Sequence, residues 1–198
     1  QGAGNLLLDN TITGTGSNGV YAQNDASFTW QNGDISGRTN GIYTSGSETL
    51  TVQDSEIQAT SYGIYVQSGS LTAMGNTIHG ASFGIYQNYY GPHTNGLALT
   101  GNEISDNDIG VYSRTANTTA YGNVIHDNTT GIEGYGVWGA ADWSYPPNDI
   151  YNNTTGIKLW DDGEVRFNRI HENATGIEAQ NHTALLHNVL YRNTGQSI

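Results

Sequence analysis

Two aromatic segments of the sequence, residues 87–95 and 135–147, carry side chains suited to binding a sugar. Aromatic rings stack on the apolar faces of sugars, while Asp, Asn and His side chains bond the hydroxyl groups. The candidate ligand-binding residues in these segments are Tyr89, Tyr90, His93, Tyr135, Trp138 and Trp143. Asp142, in the second segment, is also a candidate catalytic residue. The alternative is that the two segments pack on each other and cover the core.

A further candidate is the acidic pair Asp161 and Asp162, which directly follows Trp160. Adjacent carboxylates suit acid–base chemistry on a glycosidic bond, or weak binding of Ca²⁺. The alternative is a polar turn after an outward-facing tryptophan. Asp161 and Asp162 are therefore candidate catalytic residues and weak candidate metal ligands.

An internal repeat must position all of these residues. A glycine followed by Ile or Val recurs at intervals of 20 to 26 residues, at Gly19, Gly41, Gly63, Gly84, Gly110, Gly131, Gly156 and Gly176. A second apolar marker precedes most of these glycines by six residues, at Ile12, Ile35, Ile57, Ile78, Ile104, Ile125, Ile150 and Ile170, with Leu190 as a ninth copy. Asparagines flank the marker in most copies. A repeat of this length indicates a solenoid.

The apolar clusters are two to four residues long and alternate with polar residues, which predicts short strands rather than helices. We therefore predict an all-β parallel β-helix of about nine coils, with 20–26 residues in each. Residues 1–198 form one such domain, expected to be a segment of a longer protein. The asparagines are expected to form ladders, and the repeated glycine to serve a tight corner with unusual backbone angles. Counting five residues back from Ile150 places Tyr145 in the core.

Stacking of the coils brings residues of equal position about 4.8 Å apart. The residue after each Gly-Ile pair then points outward, which aligns Tyr21, Tyr43, Tyr65, Tyr86 and Tyr112. Tyr135 and Trp160 extend this aromatic surface, so Tyr86, Tyr112, Tyr135 and Trp160 are candidate ligand-binding residues. The alternative is that tyrosines merely favour a solvated strand face.

Histidines form another outward column, at His79, His126 and His171. Successive members lie two coils apart, a separation of about 10 Å. Zinc ligands lie about 2 Å from their ion, so these histidines cannot share one.

The N-x-I-x-x-N-x-x-G-I unit, for example Asn123 to Ile132, resembles the right-handed parallel β-helix repeats of the pectate-lyase-like superfamily. The resemblance covers nearly the whole chain and implies contact with polysaccharide outside the cytoplasm. Locally, Tyr90-Gly91-Pro92-His93 is similar to the Tyr-Gly-Phe-Asp-Pro-His stretch of mannuronan epimerases, which implies catalytic roles for Tyr90 and His93. The Phe-Asp pair of that stretch is missing here. Asp161-Asp162 resembles the Asp-Asp motif of the glycosidase branch.

Composition narrows the classes of function. Six Lys and Arg against 18 Asp and Glu give a net charge of −12, which excludes a basic nucleic-acid binder. There is no cysteine, and no apolar run is long enough to span a membrane. The sequence therefore favours an extracellular or cell-surface module that contacts polysaccharide or a cell-surface glycan, with neighbouring domains or end-to-end contacts capping its ends. We expect no cofactor, with Ca²⁺ as the candidate ion.

Two alternatives stay open. One is a structural or adhesive stalk segment of a large surface protein. The other is a polysaccharide-processing enzyme, either an epimerase or lyase or a glycosidase. The chain has few cations to neutralise a substrate carboxylate, and none lies in either aromatic segment, so a module without catalysis is favoured.

Overall fold

The computed structural model describes residues 4–23, 27–46, 49–88, 96–160 and 162–195. All regular structure in these residues is β-strand. Within them, no helix has the length and apolar character needed to cross a membrane.

The strands are short and follow one another with the period of the sequence repeat. In chain order they are β1 (Asn5–Leu8), β2 (Thr11–Ile12), β3 (Gly16–Gln23), β4 (Phe28–Gln31), β5 (Asp34–Ser45), β6 (Thr49–Gln53), β7 (Glu56–Val66), β8 (Ser70–Met74), β9 (Thr77–His79), β10 (Phe83–Gln87), β11 (Leu97–Thr100), β12 (Glu103–Ser105), β13 (Ile109–Ser113), β14 (Thr118–Tyr121), β15 (Val124–His126), β16 (Thr130–Gly134), β17 (Val137–Trp138), β18 (Asp149–Tyr151), β19 (Thr155–Leu159), β20 (Glu164–Arg166), β21 (Arg169–His171), β22 (Thr175–Ala179), β23 (Ala184–Leu186) and β24 (Val189–Tyr191).

These strands pair in parallel and wind around three faces. Face 1 is the sheet β1-β4-β6-β8-β11-β14, continued by β17-β20-β23. Face 2 contains β2, the first halves of β5 and β7, and then β9, β12, β15, β18, β21 and β24. Face 3 contains β3, the second halves of β5 and β7, and then β10, β13, β16, β19 and β22. The described residues thus complete eight turns and begin a ninth, which confirms the predicted parallel β-helix.

The core is a set of apolar columns, one or more from each face. Ile125 on face 2 and Ile132 on face 3 are almost completely buried, as is Ala120 on face 1. Each inward side chain packs on its equivalent in the next coil, because parallel pairing keeps the register constant, for example Ile125 against Ile150. No single coil can bury these residues alone, so the stack of coils is the stable unit.

Two internal asparagine ladders run along the axis at the corners of the coils. The first lies between faces 1 and 2 and contains Asn76, Asn102, Asn123, Asn148, Asn168 and Asn188. The second lies between faces 2 and 3 and contains Asn107, Asn128, Asn153, Asn173 and Asn193. Each amide donates to the side-chain oxygen of the next asparagine, which confirms the predicted ladders and satisfies buried polar groups.

The repeated glycine has a different role from the expected one. Gly131 and its equivalents do not have a positive φ, so unusual backbone angles do not explain them. A Cβ on Gly131 would lie 2.5 Å from the carbonyl oxygen of Gly156 in the next coil. The glycine is therefore required because adjacent backbones approach closely at this point.

The contacts of the asparagine ladder show which residues of the second aromatic segment are extra. Asn148 donates to the Ala120 carbonyl and Asn168 donates to the Trp138 carbonyl, both at 2.8 Å, so Trp138 takes the core position after Ala120. The extra residues follow Trp138 and lie between faces 1 and 2. The placement of Tyr145 in the core was therefore wrong, and its side chain is exposed.

Candidate functional site

Face 3 carries a continuous row of tyrosine side chains. Strand register places Tyr21, Tyr43, Tyr65, Tyr86 and Tyr112 in one outward column, as the sequence predicts. Successive ring centroids are 5.2, 4.8, 5.1 and 4.8 Å apart. We call this column, with the four rings described next, the tyrosine ribbon.

Sequence reasoning missed two members of the ribbon, Tyr62 and Phe83. Both lie immediately before the repeated glycine, at a position that is Asn or Thr in most other coils. Their rings are each 4.8 Å from a ring of the main column, Tyr62 from Tyr65 and Phe83 from Tyr86. The signal that could have found them is an aromatic residue before Gly-Ile in two consecutive coils.

Trp160 and Tyr135 continue the ribbon beyond Tyr112. The Trp160 ring lies 5.3 Å from Tyr112 and 5.0 Å from Tyr135, edge to face in both pairs. Beside them, the residues of the main column are charged instead of aromatic. Lys158 Nζ lies 3.8 Å from Glu133 Oε1 in this part of the column. The ribbon therefore spans about seven coils, or roughly 29 Å at the spacing of parallel strands.

Two phenol groups of the ribbon, those of Tyr86 and Tyr112, have raised pKa values. Burial raises the pKa of Tyr86, and the neighbouring Tyr112, Tyr65 and Tyr62 raise it further. Burial is also the main cause that raises the pKa of Tyr112. These hydroxyl groups therefore remain both donors and acceptors of hydrogen bonds.

Partial exposure gives the ribbon access to a ligand. Offset-stacked rings leave part of each face and the outer edge uncovered. Tyr21 is 49% exposed, and its hydroxyl donates to the Gln23 side chain at 2.9 Å. The surface thus alternates apolar ring area with hydroxyl and amide groups.

Trp138 cannot contact a ligand, because its side chain is completely buried in the core. Its indole nitrogen donates to the Tyr135 carbonyl at 3.1 Å. The sequence-based assignment of Trp138 as a ligand-binding residue was therefore wrong. By contrast, Trp143 is 56% exposed and lies edge to face with Phe167, at 5.1 Å between centroids.

Two of the acidic candidates, Asp142 and Asp162, lie within the described residues. The Asp142 carboxylate accepts hydrogen bonds from the hydroxyl and backbone amide of Ser144, which lower its pKa. A lowered pKa suits a carboxylate that stays ionised and not a general acid. Asp162 is exposed in a turn with φ of 59°. Tyr89, Tyr90, His93 and Asp161 lie outside the described residues.

Face 2 carries alternating imidazole and phenol rings. His126, Tyr151, His171 and Tyr191 stack with centroids 5.0, 5.1 and 4.6 Å apart, so a tyrosine separates the two histidines. His126 Nε2 lies 3.4 Å from Glu103, and His171 Nε2 lies 3.0 Å from Asp149. The imidazoles thus pair with carboxylates of their own and do not converge, as expected.

Comparison with known proteins gives one family. The family described as "NosD: Periplasmic copper-binding protein (NosD)" matches residues 8–197. No curated protein and no solved structure shows a significant match. The match supports the parallel β-helix part of the earlier resemblance, without pointing to pectate-lyase-like proteins in particular.

The family description corrects the cofactor expectation. It names copper, so the expectation of no cofactor, with Ca²⁺ as the candidate ion, was wrong. Protein copper sites use Cys, Met and His ligands. The chain has no cysteine and a single methionine, and in the described part no three His, Cys, Asp or Glu side chains could hold an ion. These residues therefore do not fit a copper site.

The family description also bears on location. It is a periplasmic family, which agrees with the coarse expectation of a compartment outside the cytoplasm. The match extends over nearly the whole chain, and the structure has the parallel β-helix that the repeat predicts. The chain therefore belongs to the NosD family.

Proposed function

We propose that this chain is a non-catalytic β-helix module that binds a neutral polysaccharide along the tyrosine ribbon, in the periplasm or at the cell surface. The observation that carries the proposal is the unbroken contact of nine aromatic rings on one face. Rigid stacking fixes these rings before a ligand arrives, so binding costs little conformational entropy.

The shape of the ribbon favours a long ligand. A strip of roughly 29 Å can contact several sugar units at once, each over a ring and a hydroxyl group. A pectate-lyase-like relationship would agree with the same ligand class.

Charge favours a neutral ligand over an acidic one. With a net charge of −12, the protein repels polyanions at long range. The raised pKa values keep the phenols of Tyr86 and Tyr112 neutral at the centre of the ribbon. Near the end of the ribbon, the Lys158 ammonium lies 3.8 Å from the Glu133 carboxylate, so these two charges offset each other.

The described residues favour binding over catalysis. Hydrogen bonds from Ser144 lower the pKa of Asp142, which does not suit a general acid, and Asp162 is exposed in a turn. The mannuronan epimerase resemblance rests on Tyr90 and His93, which lie outside the described residues.

The test is affinity electrophoresis and sedimentation with neutral and acidic polysaccharides. Tyr65→Ser with Tyr86→Ser removes two central rings, and at about 1 kcal/mol for each stacking contact the affinity should fall roughly 30-fold. The matched control is Tyr151→Ser, which removes a stacked tyrosine from face 2.

Three outcomes are informative. Loss of binding in the double variant, with normal binding in the control, supports the proposal. Equal effects of both changes would contradict it. If the wild-type protein binds none of the polysaccharides, the proposal fails and the structural stalk remains.

A further inference from the structure

A cleft of about 320 Å³ opens on face 1, next to the second aromatic segment. Its lining includes Tyr121, Gly139, Tyr145 and Arg166. We infer that this cleft binds a single neutral hexose unit, independently of the tyrosine ribbon. The inference rests on the proposed function for its ligand class, while its residues belong to another face of the helix.

A glycine lies in the lining of the cleft, at a point where two coils approach closely. Gly139 has a φ of 130°, and a Cβ there would collide with the Arg166 carbonyl oxygen of the next coil. A glycine is therefore obligatory at this point. The slot that forms the cleft is lined by Tyr121 and Arg166, which lie two coils apart.

Two tyrosines form an angled aromatic wall of the slot. The rings of Tyr121 and Tyr145 lie 5.2 Å apart with an interplanar angle of 55°. Tyr145 comes from the inserted residues and reaches back over the slot, with 44% of its surface exposed. The volume is at the lower end of the range of small-molecule sites, which suits one sugar ring.

The opposite wall offers polar groups of both kinds. Arg166 Nη1 lies 3.1 Å from Glu164 Oε1, and both side chains are about one-third to one-quarter exposed, at 32% and 26%. Of this pair Arg166 lines the cleft, as does Thr119. A guanidinium donates hydrogen bonds, and a threonine hydroxyl both donates and accepts, so both side chains can bind sugar hydroxyl groups.

The same pair selects a neutral sugar. The Arg166 and Glu164 charges cancel, so a ligand carboxylate would gain no net attraction. Hydroxyl groups of a hexose would instead meet the Arg166 guanidinium and the Thr119 hydroxyl, while the apolar face of the ring packs on the tyrosines.

The experiment is a titration of the ¹⁵N-labelled protein with methyl glycosides of glucose, galactose and mannose, and with methyl glucuronide. We expect saturable shifts of the Gly139 and Tyr145 amide signals by at least one neutral glycoside at about 50 mM, enough to fill a millimolar site. Tyr145→Ala with Arg166→Gln should weaken this binding about tenfold or more. Tyr151→Ser is the control and should leave it unchanged.

The outcomes separate the cleft from the ribbon. Absence of shifts at Gly139, while the wild-type protein still binds a polysaccharide through the ribbon, overturns the cleft alone. Tighter binding of the glucuronide than of every neutral glycoside also overturns it. If neither the glycosides nor the polysaccharides bind, both proposals fail. Loss of glycoside binding in the Tyr145 and Arg166 variant, with ribbon binding intact, supports the cleft.

Discussion

Replacing Asn123 by alanine tests the first asparagine ladder at its centre. Asn123 Oδ1 accepts from the backbone and side-chain amides of Asn102, at 3.0 and 2.9 Å. Its Nδ2 donates to the Leu99 carbonyl at 3.0 Å and to Asn148 Oδ1 at 2.8 Å. The change therefore removes four buried hydrogen bonds and leaves partners unsatisfied in both adjacent coils.

The expected loss of stability follows from these bonds. At about 1 kcal/mol for each, Asn123→Ala should lower the free energy of unfolding by about 4 kcal/mol. In a chain of this size, 1 kcal/mol corresponds to about 2–4 °C, so the melting temperature should fall by about 8–16 °C. Asn123→Asp should cost at least as much, because a carboxylate oxygen would face the Leu99 carbonyl.

The measurement is urea unfolding followed by circular dichroism, with thermal melting in parallel. The control is Asn117→Ala, since the Asn117 side chain is exposed on a loop. A loss below about 1 kcal/mol in Asn123→Ala would refute the ladder as a major source of stability. An equal loss in the Asn117 control would refute it as well.

Three other predictions concern the glycine column, the ribbon and the histidines. Gly131→Ala should strongly lower the free energy of unfolding measured in urea, because its Cβ would collide with a backbone oxygen. Gly96→Ala is the control and should be tolerated, because a Cβ on Gly96 meets only ordinary contacts. Burial raises the pKa of Tyr86 above its ordinary 10.0. As pH rises above 10, the unfolded chain therefore loses a proton that the folded chain still holds, and the free energy of unfolding should fall. Ultraviolet titration should show this late ionisation, and Tyr86→Phe should reduce the fall; an unchanged pH profile would contradict the assignment. His171→Ala should leave Cu²⁺ affinity unchanged in a chelator competition, because that imidazole pairs with Asp149; a tenfold loss would show that it is a ligand.

The repeat made most of the fold predictable. Because parallel coils keep a constant register, the period alone places Ile125 in the core and Tyr65 on the surface, and the structure agrees with both. The period also predicts the separation of His126 from His171, with Tyr151 between them.

The insertions were less predictable, because a difference in coil length does not show on which side of a strand the extra residues fall. Counting back from Ile150 placed Tyr145 in the core and left Trp138 free to bind. In the structure Trp138 fills the core and Tyr145 is exposed. The cleft beside Gly139 is lined by Tyr145 and depends on this exchange, so it could not be predicted from the repeat.

The role of the repeated glycine also could not be predicted from the sequence. A repeated glycine is compatible with unusual backbone angles or with close contact of two chains, and spacing does not separate them. The proximity of Gly131 to the Gly156 carbonyl is visible only in three dimensions.

The ladders have a consequence for how this protein can change its length. Every interior asparagine meets an identical partner above and below, so one whole coil could be duplicated or deleted without creating a new kind of junction. Duplicating the coil that contains Asn102, Asn107 and Tyr112 would add one ring to the aromatic strip. The length of polymer that this surface can contact therefore depends on the number of coils, and evolution or design can change it by one coil at a time.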